Sequence, residues 1–525
     1  MRHAITVAAI CLAIALMLTC GCPPPQPPAT PGPDVTPGGE QVQLQMWTIW
    51  NTEPRKSALD EIVANFESAN PDIDVVVTNV EPDAYKNRIR VAIGSGDPPD
   101  VFFVWSGEWL HNFVRGDNVL PITDALSANS DEWRSRIMGD ALKWYTFGGE
   151  TYGIPFLRQC TFFFYNTQLF ARDHVETPET WDEFLDVCET VRRPDVDPIA
   201  LGNSVKWPAH HYVSCLWQRL MGQDQLLSDF DPMGAGAYDS PGYVQGLRMF
   251  QDLVARDVFN RAPNGTTREN ARALLYTGKA AMFYTGTWDF NSLREGGEAP
   301  EEFWDAWDWF NFPAVEGGEG DQEAIHGGAD GYVISSKTAQ PDAAIRFLQH
   351  LNSVESAQLF VDKCRELVLV TGAVTEENAD DVLLKYARQV EAAPTIVPWA
   401  DTLMERSVAE VLLDGCQALI EGSTTPEQIM DDIRTRQAEV KQRLEELGGT
   451  TVAEGPGEEL AKLAAVEETP DAAAEITGHS EDWRTATVRV TPPGGGAAAT
   501  VDLQWTDSGY EIVTTGEPAD AGDNG

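Results

Sequence analysis

Between residues 42 and 105 the chain switches its hydrophobic period repeatedly, and this switching limits the possible folds more than any other feature. Residues 42 to 50, VQLQMWTIW, alternate as a strand does, and Leu59, Ile62, Val63 and Phe66 then recur at helical spacing behind the turn at Glu53-Pro54. Asp74 to Val80 reads as a second strand and Tyr85 to Ile93 as a second helix. Val101 to Trp105 is a fully apolar strand behind the breaker SGDPPD. Strands and helices in strict alternation predict a mostly parallel sheet covered by helices on both faces, with right-handed crossovers. Such a sheet binds ligands at the carboxyl ends of its strands.

Two of those strand ends carry aromatic and polar groups together: Trp50, Asn51 and Glu53 after the first, Trp105 and Glu108 after the third. An aromatic face can stack on the C–H face of a sugar ring, while amides and carboxylates exchange hydrogen bonds with its hydroxyls. The pairing suits a carbohydrate. The competing structural reading places Trp105 as a cap on the core and Glu108 in solvent.

Downstream, TYGIPFLRQCTFFFYNTQLF, residues 151 to 170, is strand-like but too long for one ordinary strand, which predicts a crossing between two lobes. TPET then opens an amphipathic helix over residues 177 to 192. The loop before the next helix carries Lys206, Trp207, His210 and His211, and Trp207 is a candidate for a sugar-stacking surface on the opposite lobe. The adjacent histidines raise a metal site. Consecutive helical positions point to different sides, and no acidic or cysteine partner sits at ligand spacing, so no metal is assigned.

In GKAAMFYTGTW, residues 278 to 288, Gly278 ends a helix, Ala280 to Tyr284 forms a buried strand, and Gly286 lets the backbone turn before Trp288. GGADGYVISS, residues 327 to 336, predicts a further crossing whose glycines permit hinge torsions. Helices follow over residues 341 to 363, after Pro398-Trp399, and from TTPEQIMDDI to about Leu447; Trp399 is a further cleft candidate.

The 278–288 stretch and the tyrosine-glycine-x-proline segment at 152–155 leading to Tyr165-Asn166 resemble the extracellular solute-binding proteins of sugar-importing ABC transporters. The resemblance covers roughly residues 42 to 447. It implies the two-lobed periplasmic-binding-protein fold: an α/β architecture with mostly parallel sheets flanked by helices and a multi-crossing hinge. By this match, residues 41–157 and 286–326 form lobe 1, and residues 158–285 and 327–449 form lobe 2. Arg158 and Gln159 then face the cleft floor, and Trp288 lies on the cleft side of the hinge.

The ends of the chain lie outside that pattern. Arg2, the apolar run Ala4 to Leu18 and Gly21-Cys22 look like a cleaved export signal with a lipidated Cys22, Cys20 being a rival site, followed by a proline-rich tether over residues 23 to 40. Residues 450 to 476 read as a linker, and residues 477 to 525 as a small β extension with three short strands. Five scattered cysteines, Cys160, Cys188, Cys215, Cys364 and Cys416, allow one or two disulfides or isolated buried thiols.

A net charge of −45, from 82 acidic against 37 basic side chains, argues against nucleic acid and against an anionic membrane surface. No P-loop, dinucleotide fingerprint, nucleophile elbow or zinc spacing appears, so no cofactor is expected. The expectation is an exported, lipid-anchored, monomeric receptor without enzymatic activity. It captures a sugar or short oligosaccharide between its lobes and delivers it to ABC permease subunits. The alternatives are a secreted carbohydrate-active hydrolase and an anchored sensory or scaffold protein.

Overall fold

The computed structural model describes residues 41–139, 141–234 and 236–446, together with four strands of the C-terminal region. The export signal, Cys22, the tether and all but the end of the linker lie outside the described residues.

The predicted alternation is present: β1 (Val42–Thr48), β2 (Ile73–Asn79) and β3 (Val101–Trp105) are separated by helices Arg55–Ala69 and Pro82–Gly94, and β1 pairs in parallel with both β2 and β3. After the short hairpin β4 (Thr146–Phe147) and β5 (Glu150–Thr151) comes β6, a single strand from Gly153 to Asn166. The main sheet is completed by β7 (Asp197–Ala200), β8 (Ala280–Gly286), β9 (Trp307–Phe310), β10 (Ile325–Ile334) and β11 (Ile396–Val397). Its order is β2-β1-β3-β10-β6-β8-β7, with β11 beside β10 and β9 beside β6. Pairing is parallel at both flanks and antiparallel through β10 and β6.

The long run in the sequence is therefore one strand with two sets of neighbours. Gly153 to Cys160 pairs with β10, and Thr161 to Asn166 with β8 and β9. Because successive side chains leave a strand on opposite faces, β6 and β8 feed two separate cores. Phe162, Phe164 and Phe283 join one with Leu44, Phe66, Phe102 and Phe347. Phe163, Met282 and Tyr284 join the other with Phe184, Tyr212, Phe250, Leu412 and Met430.

One expectation is corrected. Helices Pro341–Leu351 and Val354–Cys364, assigned to lobe 2, pack in the first core through Phe347, Leu351 and Phe360. The reason is strand direction: β10 ends beside β3, with Ile334 opposite Val101, and so delivers the chain to the first core. None of Gly327, Gly328 and Gly331 in β10 has positive φ. They are spaces for neighbours: a Cβ on Gly331 would meet the Ile154 carbonyl oxygen at 2.0 Å, and one on Gly327 the Cys160 Sγ at 2.5 Å.

The helix that TPET opens runs Trp181–Val191, and Thr180 caps it in a reciprocal capping box with Glu183. The five cysteines are free and buried. Among the described residues no helix is long and apolar enough to cross a membrane. The C-terminal region forms an antiparallel sheet of four strands, β12 (Ala473–His479), β13 (Thr485–Thr491), β14 (Ala499–Thr506) and β15 (Gly509–Gly516). Its first strand begins inside the stretch read as linker.

Candidate functional site

A cleft of about 650 Å³ opens at the carboxyl ends of β1 and β3 and is lined from both cores. On the first side stand the loop after β1 with Asn51 and Glu53, the first turns of helix Pro82–Gly94, and Trp105 with Glu108 and Trp109 at the end of β3. The second side carries Trp207, His211, Arg268, Trp399 and Asp401. Gln159, Trp288 and Asp330 come from the crossing region between them.

The polar groups of the first side are largely engaged with each other. Glu108 is 8% exposed and bound by the Arg115 guanidinium through both carboxylate oxygens, with His111 Nδ1 at 3.2 Å. Burial alone would raise its pKa, but His111 and Arg115 hold it below the usual carboxylate range. The Glu81 carboxylate caps its helix by accepting from the Asp83 and Ala84 amides at 2.9 Å. Lys86 Nζ lies 5.4 Å from the Trp105 ring centroid and the Arg90 guanidinium 5.2 Å from that of Trp109, while the two indoles meet edge to face at 5.2 Å.

At the floor, Arg55 grips Glu366 with two hydrogen bonds of 2.7 and 2.6 Å. Gln159 is tied into the same network: its Nε2 donates to Glu366 at 3.2 Å and its Oε1 accepts from the Thr287 hydroxyl at 2.9 Å. Asp330 lies nearby on β10, and burial, partly countered by Arg55 and Arg158, pushes its carboxyl up to about 7. Arg158 does not line the cleft, since neighbouring strand residues face opposite ways and Gln159 takes the cleft side.

The second side is an aromatic cluster. Trp288 meets Trp207 at 5.8 Å and Trp399 at 5.9 Å, both edge to face, and His211 stacks on Trp399 at 5.2 Å with only 14° between the planes. Gly286 is required because a Cβ there would sit 2.3 Å from the Trp288 ring, so its role is to admit the indole. Beside Trp288, Arg272 bridges Asp289 and Glu298, and the Thr285 hydroxyl donates to Asp289 at 2.6 Å. Burial, with the neighbouring His210, holds His211 well below its ordinary pKa. Asp401 is pushed up by burial but more strongly down by His210 and His211, and stays below the usual carboxylate range.

Of the residues selected from sequence, Asn51, Glu53, Trp105, Glu108, Gln159, Trp207, Trp288 and Trp399 line this one cleft. Trp50 does not. It is 1% exposed and packs against Phe360 at 4.8 Å, Tyr332 at 5.5 Å and Phe156 at 5.6 Å. The period of β1 itself contains that outcome, since Leu44, Met46 and Thr48 are its buried positions and Trp50 continues their parity. Sequence reasoning also missed Trp109, in the first turn of the helix that follows β3. It missed Asp330, His211 and Asp401 as cleft residues because their surroundings are assembled from distant segments.

A family described as bacterial extracellular solute-binding protein matches residues 50–358. An ABC transporter extracellular-binding protein of Pyrococcus horikoshii is 24% identical over 328 residues, spanning 61% of this chain and 70% of its own. A multiple sugar-binding protein of Streptococcus mutans is 23% identical over 330 residues, spanning 62% and 74%. A solved protein from work on xylan utilization by the thermophilic bacterium Caldanaerobius polysaccharolyticus superposes with a TM-score of 0.68 at 26% identity, covering 75% of this chain and 100% of that one.

Proposed function

Because this chain belongs to the bacterial extracellular solute-binding protein family, we propose that it captures a sugar or short oligosaccharide in the cleft and delivers it to the permease of an ABC importer. The observation that carries this reading is the placement of indoles on both sides of one cleft, Trp105 and Trp109 against Trp207, Trp288 and Trp399. Indoles lining one cleft from both sides suit the apolar faces of pyranose rings, and the cleft is within the ~300–1,000 Å³ range of small-molecule sites. The names of the relatives point the same way, one to multiple sugars and one to xylan utilization.

The two cores supply the two lobes. A ligand touching both stabilises the closed form by its difference in affinity for the closed and open states. The Cys22 thioether lipid and the proline-rich tether hold the monomeric body at the outer face of the membrane, and fractionation of a Cys22→Ser variant tests that anchor. Binding is tested by a thermal-shift screen over mono- and oligosaccharides, including xylo-oligosaccharides, followed by calorimetry on the hits. The expected result is a raised Tm and stoichiometric binding, because saturating ligand stabilises only the folded form. Recovery of shortened products would establish a hydrolase instead, and no response to any saccharide would remove the sugar.

A further inference from the structure

We propose that His210, His211 and Asp401 form a binding site for a divalent first-row transition ion of the zinc type, with a coordination position open to the cleft. The inference does not depend on the ligand being a sugar. One ligand-capable atom from each of the three side chains lies within 4.8 Å of the others. Two imidazoles and a carboxylate form a donor set suited to zinc and its neighbours.

The hydrogen bonding around His210 carries the argument. Its ring is fully buried, and its Nδ1 lies 2.5 Å from the Trp207 carbonyl oxygen. A carbonyl can only accept, so Nδ1 carries the proton, and in the neutral ring Nε2 presents a lone pair. That lone pair faces Asp401 Oδ1 at 3.1 Å, yet neither atom makes a hydrogen bond of normal geometry. Two acceptors facing each other in a buried site need a positive charge between them, either a second proton on the ring or a metal ion. A His whose other nitrogen donates to a backbone carbonyl is the usual arrangement around a metal, because that bond fixes tautomer and ring orientation.

His211 supplies the third ligand and distinguishes the two alternatives. An imidazolium–carboxylate pair is complete without a second imidazole, whereas a tetrahedral ion uses it as the third protein ligand. Tetrahedral metal–nitrogen and metal–oxygen bonds of about 2.0–2.2 Å would draw the widest pair of atoms together by roughly 1.4 Å. His211 and Asp401 line the cleft and His210 lies behind them, so the fourth position faces the space where a ligand oxygen or water would sit. The ion would tie helix Trp207–Met221 to helix Ala400–Leu403, bracing Trp207 and Trp399 together.

The test uses the full chain, stripped with a chelator and then titrated with Zn²⁺. One Zn²⁺ per chain by elemental analysis and a higher Tm on loading are expected, with at least a tenfold loss of affinity in His210→Gln and in Asp401→Asn. Co²⁺ loading of the wild-type protein gives an answer even where a variant fails to fold. Visible d–d bands without the near-ultraviolet thiolate charge-transfer band support histidine and carboxylate ligands, whereas a thiolate band assigns the ion to cysteine and overturns the site. Absence of Zn²⁺ uptake, or unchanged affinity in both variants, also overturns it and leaves His210 and Asp401 as an ion pair. Saccharide binding measured separately, with and without Zn²⁺, keeps this outcome distinct from the fate of the sugar reading.

Discussion

Two tryptophans stand at equivalent points in the chain, each two residues past the end of a core strand, and they have opposite surroundings. Trp50 follows β1 and is enclosed by Phe156, Tyr332 and Phe360; Trp288 follows β8 and is half-buried among Trp207, His211 and Trp399 on the cleft. The difference lies in what each strand end permits. After β1 the chain bends at Ile49, with the Trp50 amide donating to the Thr48 hydroxyl at 3.3 Å, and the indole sits in the core with Leu44 and Met46. After β8 the missing side chain of Gly286 lets the Trp288 ring fold back over the strand end and leave one side for the cleft. An aromatic residue at a strand end is therefore no evidence of a ligand surface until its neighbours are known.

The largest effect that sharpens this contrast is expected from Trp50→Ala. Removing a fully enclosed indole should lower folding stability by about 3–5 kcal/mol through an unfilled cavity, with saccharide affinity of the folded fraction unchanged. Chemical denaturation and calorimetry on the same preparation measure both. Normal stability with lost binding would reverse the assignment of Trp50.

Trp288→Ala is expected to show the opposite balance. Saccharide binding should weaken by about 1–3 kcal/mol, with a smaller loss of stability than in Trp50→Ala, because one side of the ring already faces the cleft. A strongly destabilised variant whose folded fraction binds normally would place both tryptophans in the same class.

Asp330, at the floor between the two regions, gives an effect that depends on pH and is small within any one pH unit. Its carboxyl is pushed up to about 7, from an ordinary 3.8. Between those values the unfolded chain is ionised while the folded protein keeps the proton, so unfolding releases a proton and stability falls as pH rises toward 7, then levels. Asp330→Asn should remove that slope, which is at most on the order of 1 kcal/mol per pH unit for a single group. Denaturant midpoints measured from pH 5 to 8 check it, and an unaltered slope would mean that Asp330 is ionised in the folded protein.

Much of the fold was legible in the sequence because the features that built it are local. The alternation of Leu44, Met46 and Thr48, the helical recurrence of Leu59, Ile62 and Phe66, and the cap at Thr180 each act over a few residues. The same locality revealed Asn51, Glu53, Trp105 and Glu108, which follow strand ends in a fold that binds ligands there. The buried fate of Trp50 was present in the same alternation and was obscured by its position beside Asn51.

The rest was decided by tertiary structure, because it depends on groups that meet only after folding. β8 is buried along its whole length, so its pattern carries no parity that could tell the side of Trp288. Glu108 reads as a free carboxylate until Arg115 is seen to hold it, and Gln159 reads as a free amide until Glu366, 207 residues away, takes its donor. The adjacency of His210 and His211 is written in the chain, but the carboxylate that gives it chemical meaning, Asp401, is brought to them by the packing of two helices in the second core. Sequence determined which segments would form strands, helices and the crossing, because backbone period and side-chain polarity act locally. Only the packed structure decided which polar groups are already satisfied and which remain for a ligand, because hydrogen bonds and charges inside a protein are settled by contact, at distances of a few ångströms that the sequence does not record.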